Sequence, residues 1–488
     1  MKKRLLAVCL LAAMMLSTAC SNVPAEGTTE QTSGETTAET TAAETEPVVA
    51  DDLGEYDFKG GTFHIMTRFT PLFYPYHNVD ETTGDSMNDA VYERNRALEA
   101  RFKFTLKESY YDYTKEGNDF PRTLMMAGDK TYDMFVGRCV HMFNYAVENM
   151  IHPAQDIPVI SMEKPYWSEK LNADLTVGGT QYFAIGDFNV SAMDFTHVLL
   201  FNKEMMEANG LGDPYQTVKD GKWTYDAFEE MCKKVKSDLN GDGVMDDKDR
   251  YGYTSLVKQV MPGFWIGADV VTIGRDAAGA LTYSAPQDEK LVSVFQRIYE
   301  MIWNDNLWHR NVENWAPATN DAELNLFKNG QALFTNASCF QVTTMMRDSE
   351  ADFGILPYPK LDEAQKEYAA RIEGCELFGI PVYEDNMEMA GVILEALACA
   401  SYHEVVPTYY DVVLKVKAVR DNASADMLEI IFANRVFDYG DTILATELRD
   451  GIIRQKFEKD DRNIVSNLTG VEGKVLKKLD TLNGKKAG

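Results

Sequence analysis

From Gly61 onward the hydrophobic positions fall into short alternating and helical runs. Thr62 to Arg68 (TFHIMTR) places Phe63, Ile65 and Thr67 on one face and His64 and Met66 on the other, which predicts a strand. Met87, Val91, Leu98 and Phe102 recur at helical spacing and predict a helix over Ser86 to Phe102. A strand over Lys103 to Glu108, a helical stretch over Asp119 to Ala127 and a strand over Tyr132 to Gly137 follow. Strand and helix in alternation is the pattern of a parallel sheet covered by helices. A second region opens near Thr196. Val198 to Phe201 reads as a strand, Lys203 to Asn209 as a short helix closed by Gly210, and Thr224 as the N-cap of a helix carrying Phe228, Met231 and Val235. Helices and strands continue to the C-terminus, with Ser424 to Arg435 amphipathic, and no repeat of 20 to 50 residues is visible.

Ahead of this pattern stands a different one. Lys2, Lys3 and Arg4 precede the apolar stretch Leu5 to Leu16, and Ser17, Thr18 and Ala19 lead into Cys20. This reads as an export signal over residues 1–19, too short for a spanning helix. Small residues before a cysteine resemble the lipobox of bacterial lipoproteins, which makes Cys20 the expected lipidation site; Ser17 stands where that pattern usually has leucine. Residues 20–54 are acidic and rich in Thr and Ala, with eight acids and no base between Ser21 and Asp52, the composition of a solvated tether. Without the leader, 45 basic side chains face 76 acidic ones, a net charge of −31. That balance argues against nucleic acid and against adhesion to anionic lipid by charge. Contact with the membrane is expected through the lipid anchor alone, at the outer face of the cytoplasmic membrane. The five cysteines of the folded part (139, 232, 339, 375 and 399) form no CxxC pair, so neither a disulfide framework nor a zinc site is indicated.

The sharpest local motif runs from Asp238 to Asp249. Oxygen donors fall at loop positions 1, 3, 5, 9 and 12 as Asp238, Asn240, Asp242, Asp246 and Asp249, with the Val244 carbonyl at position 7 and Gly243 at the turn. That order matches an EF-hand Ca²⁺ loop, except that Asp249 stands where a bidentate Glu is usual. One structural Ca²⁺ is the expectation; the alternative is an Asp-rich turn that needs no metal. Arg250-Tyr-Gly-Tyr reads as a turn into a strand, which disfavours a paired EF-hand. Segments that follow predicted strands carry the candidate ligand residues: Arg68 and Tyr74 after the first, Tyr111 after the second and Arg138 after the third. Trp265, flanked by Gly263 and Gly267, and Trp315, before Pro317, read as loop tryptophans able to stack on sugar rings. GxSxG, HExxH, Walker and GxGxxG patterns are all missing.

Further motifs carry a resemblance. Lys222-Trp-Thr-Tyr-Asp-Ala-Phe at a helix start, Asn240-Gly-Asp-Gly leading to Tyr251-Gly252, Phe327-Lys-Asn-Gly-Gln-Ala-Leu-Phe334, Asp352-Phe-Gly-Ile-Leu-Pro-Tyr-Pro-Lys360 and Phe378-Gly-Ile-Pro381 occur in order. In that order and spacing they resemble the extracellular solute-binding proteins of ABC importers, family 1, over most of the chain from about Tyr56. The resemblance implies an α/β, two-lobed, periplasmic-binding-protein-like fold of type II, each lobe a mainly parallel sheet flanked by helices, with an interlobe cleft. The N-terminal lobe is expected over 55–195 plus about 372–405 and the C-terminal lobe over 196–371 plus about 406–488. Crossings are expected near Ala192 to Leu200, Pro359 to Glu373 and Tyr402 to Asp411.

The expected activity is capture of a carbohydrate, an oligosaccharide, by a monomer that closes on it and delivers it to the transmembrane subunits of an ABC permease. No bond is made or broken in this reading, so no catalytic residue is expected. The alternative is a secreted glycoside hydrolase or lyase, whose carboxylate pair is defined by a spatial gap and not by spacing along the chain. A calcium-dependent adhesion module of dockerin type would carry the acidic loop twice, and it occurs once.

Overall fold

A computed structural model describes residues 49–69, 77–246, 248–304, 307–310, 322–347, 349–414 and 422–484. The first alternating run forms β1 (Gly61–Phe69), α1 (Ser86–Phe102), β2 (Phe104–Asp112), α2 (Phe120–Ala127), β3 (Met134–Arg138) and α3 (Cys139–Val147). β1 pairs in parallel with β2 on one side and β3 on the other, so strands apolar on both faces become a sheet covered by helices. Asp85 caps α1 by accepting from the amides of Met87 and Asn88.

The second run forms β4 (His197–Asn202), α4 (Tyr225–Val235), β5 (Tyr251–Ser255), α5 (Val257–Gly267), β6 (Trp308–Arg310), β7 (Ala332–Ser338) and β8 (Phe353–Leu356). Its sheet has the order β6-β5-β7-β4-β8, with β4 antiparallel to both of its neighbours. Thr224 caps α4 through Ala227 N, as the sequence predicts. The chain then returns. β9 (Glu376–Gly379) joins the first sheet beside β3, antiparallel, giving β9-β3-β1-β2. After it come α6 (Met387–His403), α7 (Val405–Leu414), α8 (Asn422–Ala433) and, near the C-terminus, α9 (Glu472–Leu482). No single described helix is long and apolar enough to cross a membrane.

The result is the two-lobed α/β architecture expected, with the first sheet in one lobe and the second in the other. Two crossover segments run side by side between the sheets: Thr196 bridges Ile372, and Glu373 N donates to Phe195 O at 2.9 Å. Among the described residues the largest of three hydrophobic clusters is shared between the lobes, while a second, from Phe63 to Cys399, belongs to the first lobe alone. Phe135, Met142 and Phe143 beside the first sheet, Leu199, Trp223 and Phe228 beside the second, and Tyr439, Ile443 and Leu479 of the C-terminal segment belong to a single packed cluster.

Candidate functional site

Parallel strands end on one edge, and the helices that follow leave that edge open to a ligand. In the first sheet the register places Arg68 opposite Tyr111 and Phe69 opposite Asp112, while Arg138 pairs with Glu376 across β3 and β9. Four strands therefore bring Arg68, Tyr111, Arg138 and Glu376 to one edge, three of them residues expected from the sequence. Arg68 is only 9% exposed; its guanidinium carbon lies 3.9 Å over the ring of Tyr113, and its Nε has no hydrogen-bond partner. Burial and the neighbouring charge of Arg138 both push the Arg68 pKa down. Burial pushes the Tyr111 phenol up, so it stands as a neutral hydroxyl. Burial likewise raises Glu376, against the pull of His77, Arg68 and Arg138.

Phe69 and Tyr110 are 44% and 45% exposed on the same edge, with ring centres 6.2 Å apart in an edge-on arrangement. Beneath them Glu108 is fully engaged: it accepts from Thr67 Oγ1 at 2.5 Å, Asn78 N at 2.9 Å and Tyr110 OH at 3.0 Å, and lies 3.3 Å from His77 Nδ1. Sequence reasoning missed Phe69, Tyr110, Glu108, His77 and Glu376. Alternation carried to the true strand ends would have found the first three; Glu376 arrives on a distant segment whose register no local pattern encodes.

A second polar cluster lies at the facing edge of the other lobe. Arg371 Nε and Nη2 donate to the two oxygens of Asp441 at 2.6 and 2.8 Å, and Arg449 Nη1 donates to Glu373 Oε1 at 3.1 Å and Asp441 Oδ1 at 3.2 Å. His197 Nε2 and Gln259 Nε2 lie 3.1 and 3.0 Å from Glu373 Oε2. Although burial opposes it, the charge of Arg371, the His197 contact and Arg449 hold Glu373 well below the usual carboxylate range. Burial and Arg371 push His197 down, so its ring is neutral near pH 7. This cluster is internally compensated. Glu373 and Glu376 stand on one crossover, so the saturated cluster and the open one adjoin through Gly374, where a Cβ would lie 3.6 Å from Arg138 Nη2.

Trp265 corrects an expectation. It sits inside α5, not on a loop; its ring is fully buried, tilted 5.5 Å from Phe295, and its Nε1 donates to Asp438 Oδ2 at 2.9 Å. No ring face remains for a sugar. Tyr74, Trp315 and Cys20 lie outside the described residues.

The Asp238–Asp249 loop satisfies itself. Asp238 accepts from Gly241 N at 2.7 Å and Gly243 N at 2.8 Å, Asn240 from Asp242 N at 2.9 Å, Asp242 from Val244 N at 2.8 Å, and Asp249 from Leu239 N at 2.9 Å and Asp246 N at 2.8 Å. Lys248 Nζ stands 3.3 Å from Asp246 Oδ2. Among the described residues no three His, Cys, Asp or Glu side chains converge as metal ligands. The donor order of a Ca²⁺ loop is present, and its side-chain oxygens accept the backbone amides of the turn.

No protein-family model matches the chain, and no curated protein does. Solved structures do. An extracellular solute-binding protein from Staphylococcus aureus in complex with maltose superposes with a TM-score of 0.58 at 12% identity, over 86% of this chain and 99% of that one. An ABC substrate-binding protein from Listeria monocytogenes in complex with cycloalternan gives 0.53 at 14%, over 86% and 99%. The maltose/maltodextrin-binding domain from Bdellovibrio bacteriovorus bound to maltotriose gives 0.51 at 16%, over 85% and 100%. The chain has the fold of these binding proteins, the type II two-lobed fold.

Proposed function

We propose that this chain is the solute-binding lipoprotein of an ABC importer, anchored through Cys20 at the outer face of the cytoplasmic membrane, and that it captures an oligosaccharide and passes it to the permease's transmembrane subunits. The observation that carries the reading is the open edge of the first sheet. Exposed Phe69 and Tyr110 offer ring faces for the C–H faces of a sugar, Arg138 stands exposed at the end of the adjoining strand, and Arg68 precedes Phe69 at the end of the same strand, while Tyr111 is buried beneath the edge. The compensated cluster around Glu373 lies across the crossovers, in the position of a facing wall. Closure would be a rotation about the segments near Thr196 and Ile372 and the step from α6 to α7, as expected for lobes at 55–195 plus about 372–405 and 196–371 plus about 406–488. The likeness to saccharide-loaded structures supports this reading through the fold.

The test is a thermal-shift screen of the purified chain against glycans, followed by recovery of the ligand. A binding protein gains thermal stability with a ligand selective for the folded state and returns it intact. No shift with any glycan, or new reducing ends after incubation, would end the proposal, the second outcome in favour of a secreted hydrolase. Calcium at the Asp238–Asp249 loop is carried forward as a proposal resting on donor order. Each of the accepting side-chain oxygens keeps a second lone pair that could ligate the ion. Melting temperature should then rise with Ca²⁺ and fall in chelator, and an unchanged value in both removes the metal.

A further inference from the structure

We infer that the guest of this site carries an anionic group, that is, that the captured oligosaccharide is acidic, and that Arg68 and Arg138 receive its charge. This rests on the saccharide-binding reading above and narrows it. Arg68 is nine-tenths buried, yet among the described residues it has no carboxylate within ion-pair distance and its Nε is without a partner. A buried cation left unpaired is unfavourable, and such groups are rare outside functional sites. Among the described residues Tyr113 lies over the guanidinium plane, 3.9 Å from its carbon, and leaves the in-plane Nε–H unused. Arg138, exposed on the adjoining strand, makes no ion pair among the described residues.

The surrounding charge sharpens the point. Acids outnumber bases 76 to 48, and buried arginines elsewhere are satisfied: Arg371 by the carboxylate of Asp441, and Arg435 by the carbonyls of Phe432 and Ala192. At the open edge, Glu108 is committed to its three donors and to His77. Glu376 is the carboxylate opposite Arg138, and it offsets one of the two guanidinium charges. Neither carboxylate lies within ion-pair distance of Arg68, so among the described residues its guanidinium is left free for a guest. A planar guanidinium presents N–H donors in a fork that fits a carboxylate or an ester oxyanion with two parallel hydrogen bonds. At the same strand ends, Phe69 and Tyr110 present exposed apolar ring faces of the kind a pyranose ring needs. The two features together suit a uronic acid residue or a sulfated sugar; both sources share the anionic oxygens that the pair would grip.

The experiment is isothermal titration of the purified chain with trigalacturonate, a sulfated trisaccharide and maltotriose, which are matched in length and differ in charge. Trigalacturonate or the sulfated sugar should bind at least tenfold more tightly than maltotriose, and the stronger of the two identifies the source of the anion. Arg138→Gln, an exposed position that does not threaten folding, should cut that preference by tenfold or more. Arg68→Gln should do the same with the circular dichroism spectrum retained, and Arg68→Lys should recover part of it. Lys234→Gln, an exposed charge on the far side of α4, serves as the control and should change nothing. Equal or tighter binding of maltotriose overturns this inference and leaves the saccharide reading standing. An acid-selective affinity that survives Arg138→Gln and Arg68→Gln unchanged overturns the assignment of the pair. Failure of all three saccharides to bind overturns the saccharide reading and this inference with it.

Discussion

A Cβ added at Gly252 would stand 2.2 Å from the Cβ and 2.6 Å from the Cα of Cys232, because β5 lies directly against α4. Backbone on both sides leaves no flexible side chain to move aside. Gly252→Ala should therefore destabilise the protein by about 3 kcal/mol, the upper part of the range for overpacking a filled core. Urea unfolding would read this as a lower midpoint, and an unchanged midpoint would contradict the contact. Gly354 is crowded by side chains instead, with a Cβ 2.1 Å from Tyr215 Oη and 2.3 Å from the Phe201 ring. These glycines lie in motifs that the sequence marks, and the marking is physical: each motif records a close approach. The same property misleads at Trp265. Gly263 and Gly267 read as loop punctuation, but they lie within α5, where a Cβ would fall 2.4 Å from the Tyr358 ring at one and 2.9 Å from its Cβ at the other. The glycines admit a tyrosine against a helix, and the tryptophan between them goes into the core.

Elements were more legible than contacts. Ser86–Phe102 matches its predicted span, and β1, β3 and β4 differ from theirs by a residue or two, because apolar spacing and caps such as Thr224 are local properties. β2 runs on to Asp112, past the predicted end at Glu108, since Tyr110 and Tyr111 continue the ladder beside β1. What no local pattern gives is the pairing of β9 with β3, which brings Glu376 to Arg138, or the meeting of crossovers. One such meeting has a measurable consequence. Asp194 is buried at the crossover before β4 and accepts from Tyr409 OH of α7 at 2.8 Å. Burial, only partly offset by that hydrogen bond, raises its pKa from 3.8 to about 7. Between these values the folded chain holds a proton that the unfolded chain has released, so stability is full below about 4 and is lost as pH rises to 7. Asp194→Asn keeps an acceptor for Tyr409 and removes the titration. The stability of the unsubstituted protein relative to Asp194→Asn should fall by up to about 4 kcal/mol from pH 4 to pH 7.5, at about 1.4 kcal/mol per pH unit. A flat difference in chemical denaturation across that window would show that Asp194 is ionised throughout.

Two sheets in two lobes suggest two folding units, but the packing says otherwise. The largest core cluster passes from Phe143 beside the first sheet to Phe264 beside the second and on to Tyr439 and Leu479 near the C-terminus. Polar contacts follow the same route. Lys478 Nζ of α9 donates to Asn144 Oδ1 of α3 at 2.9 Å, and Asn483 exchanges hydrogen bonds with Leu281 N and O, at 2.9 Å each. Gly178 N donates to Gly279 O at 3.0 Å, and Arg275 reaches the carbonyls of Asp174 and Thr176. Apolar surface shared in this way cannot be exposed on one side alone, so the loss of either lobe strips the other. Calorimetry of the folded region should give one endotherm, with calorimetric and van't Hoff enthalpies in a ratio of about one. Removing the chain from Val471 onward takes Val475, Leu479 and Leu482 out of the shared cluster, and should lower that one transition without splitting it. Two resolved transitions in the full chain would mean that the shared cluster does not couple the lobes, and that the first lobe's own cluster unfolds independently.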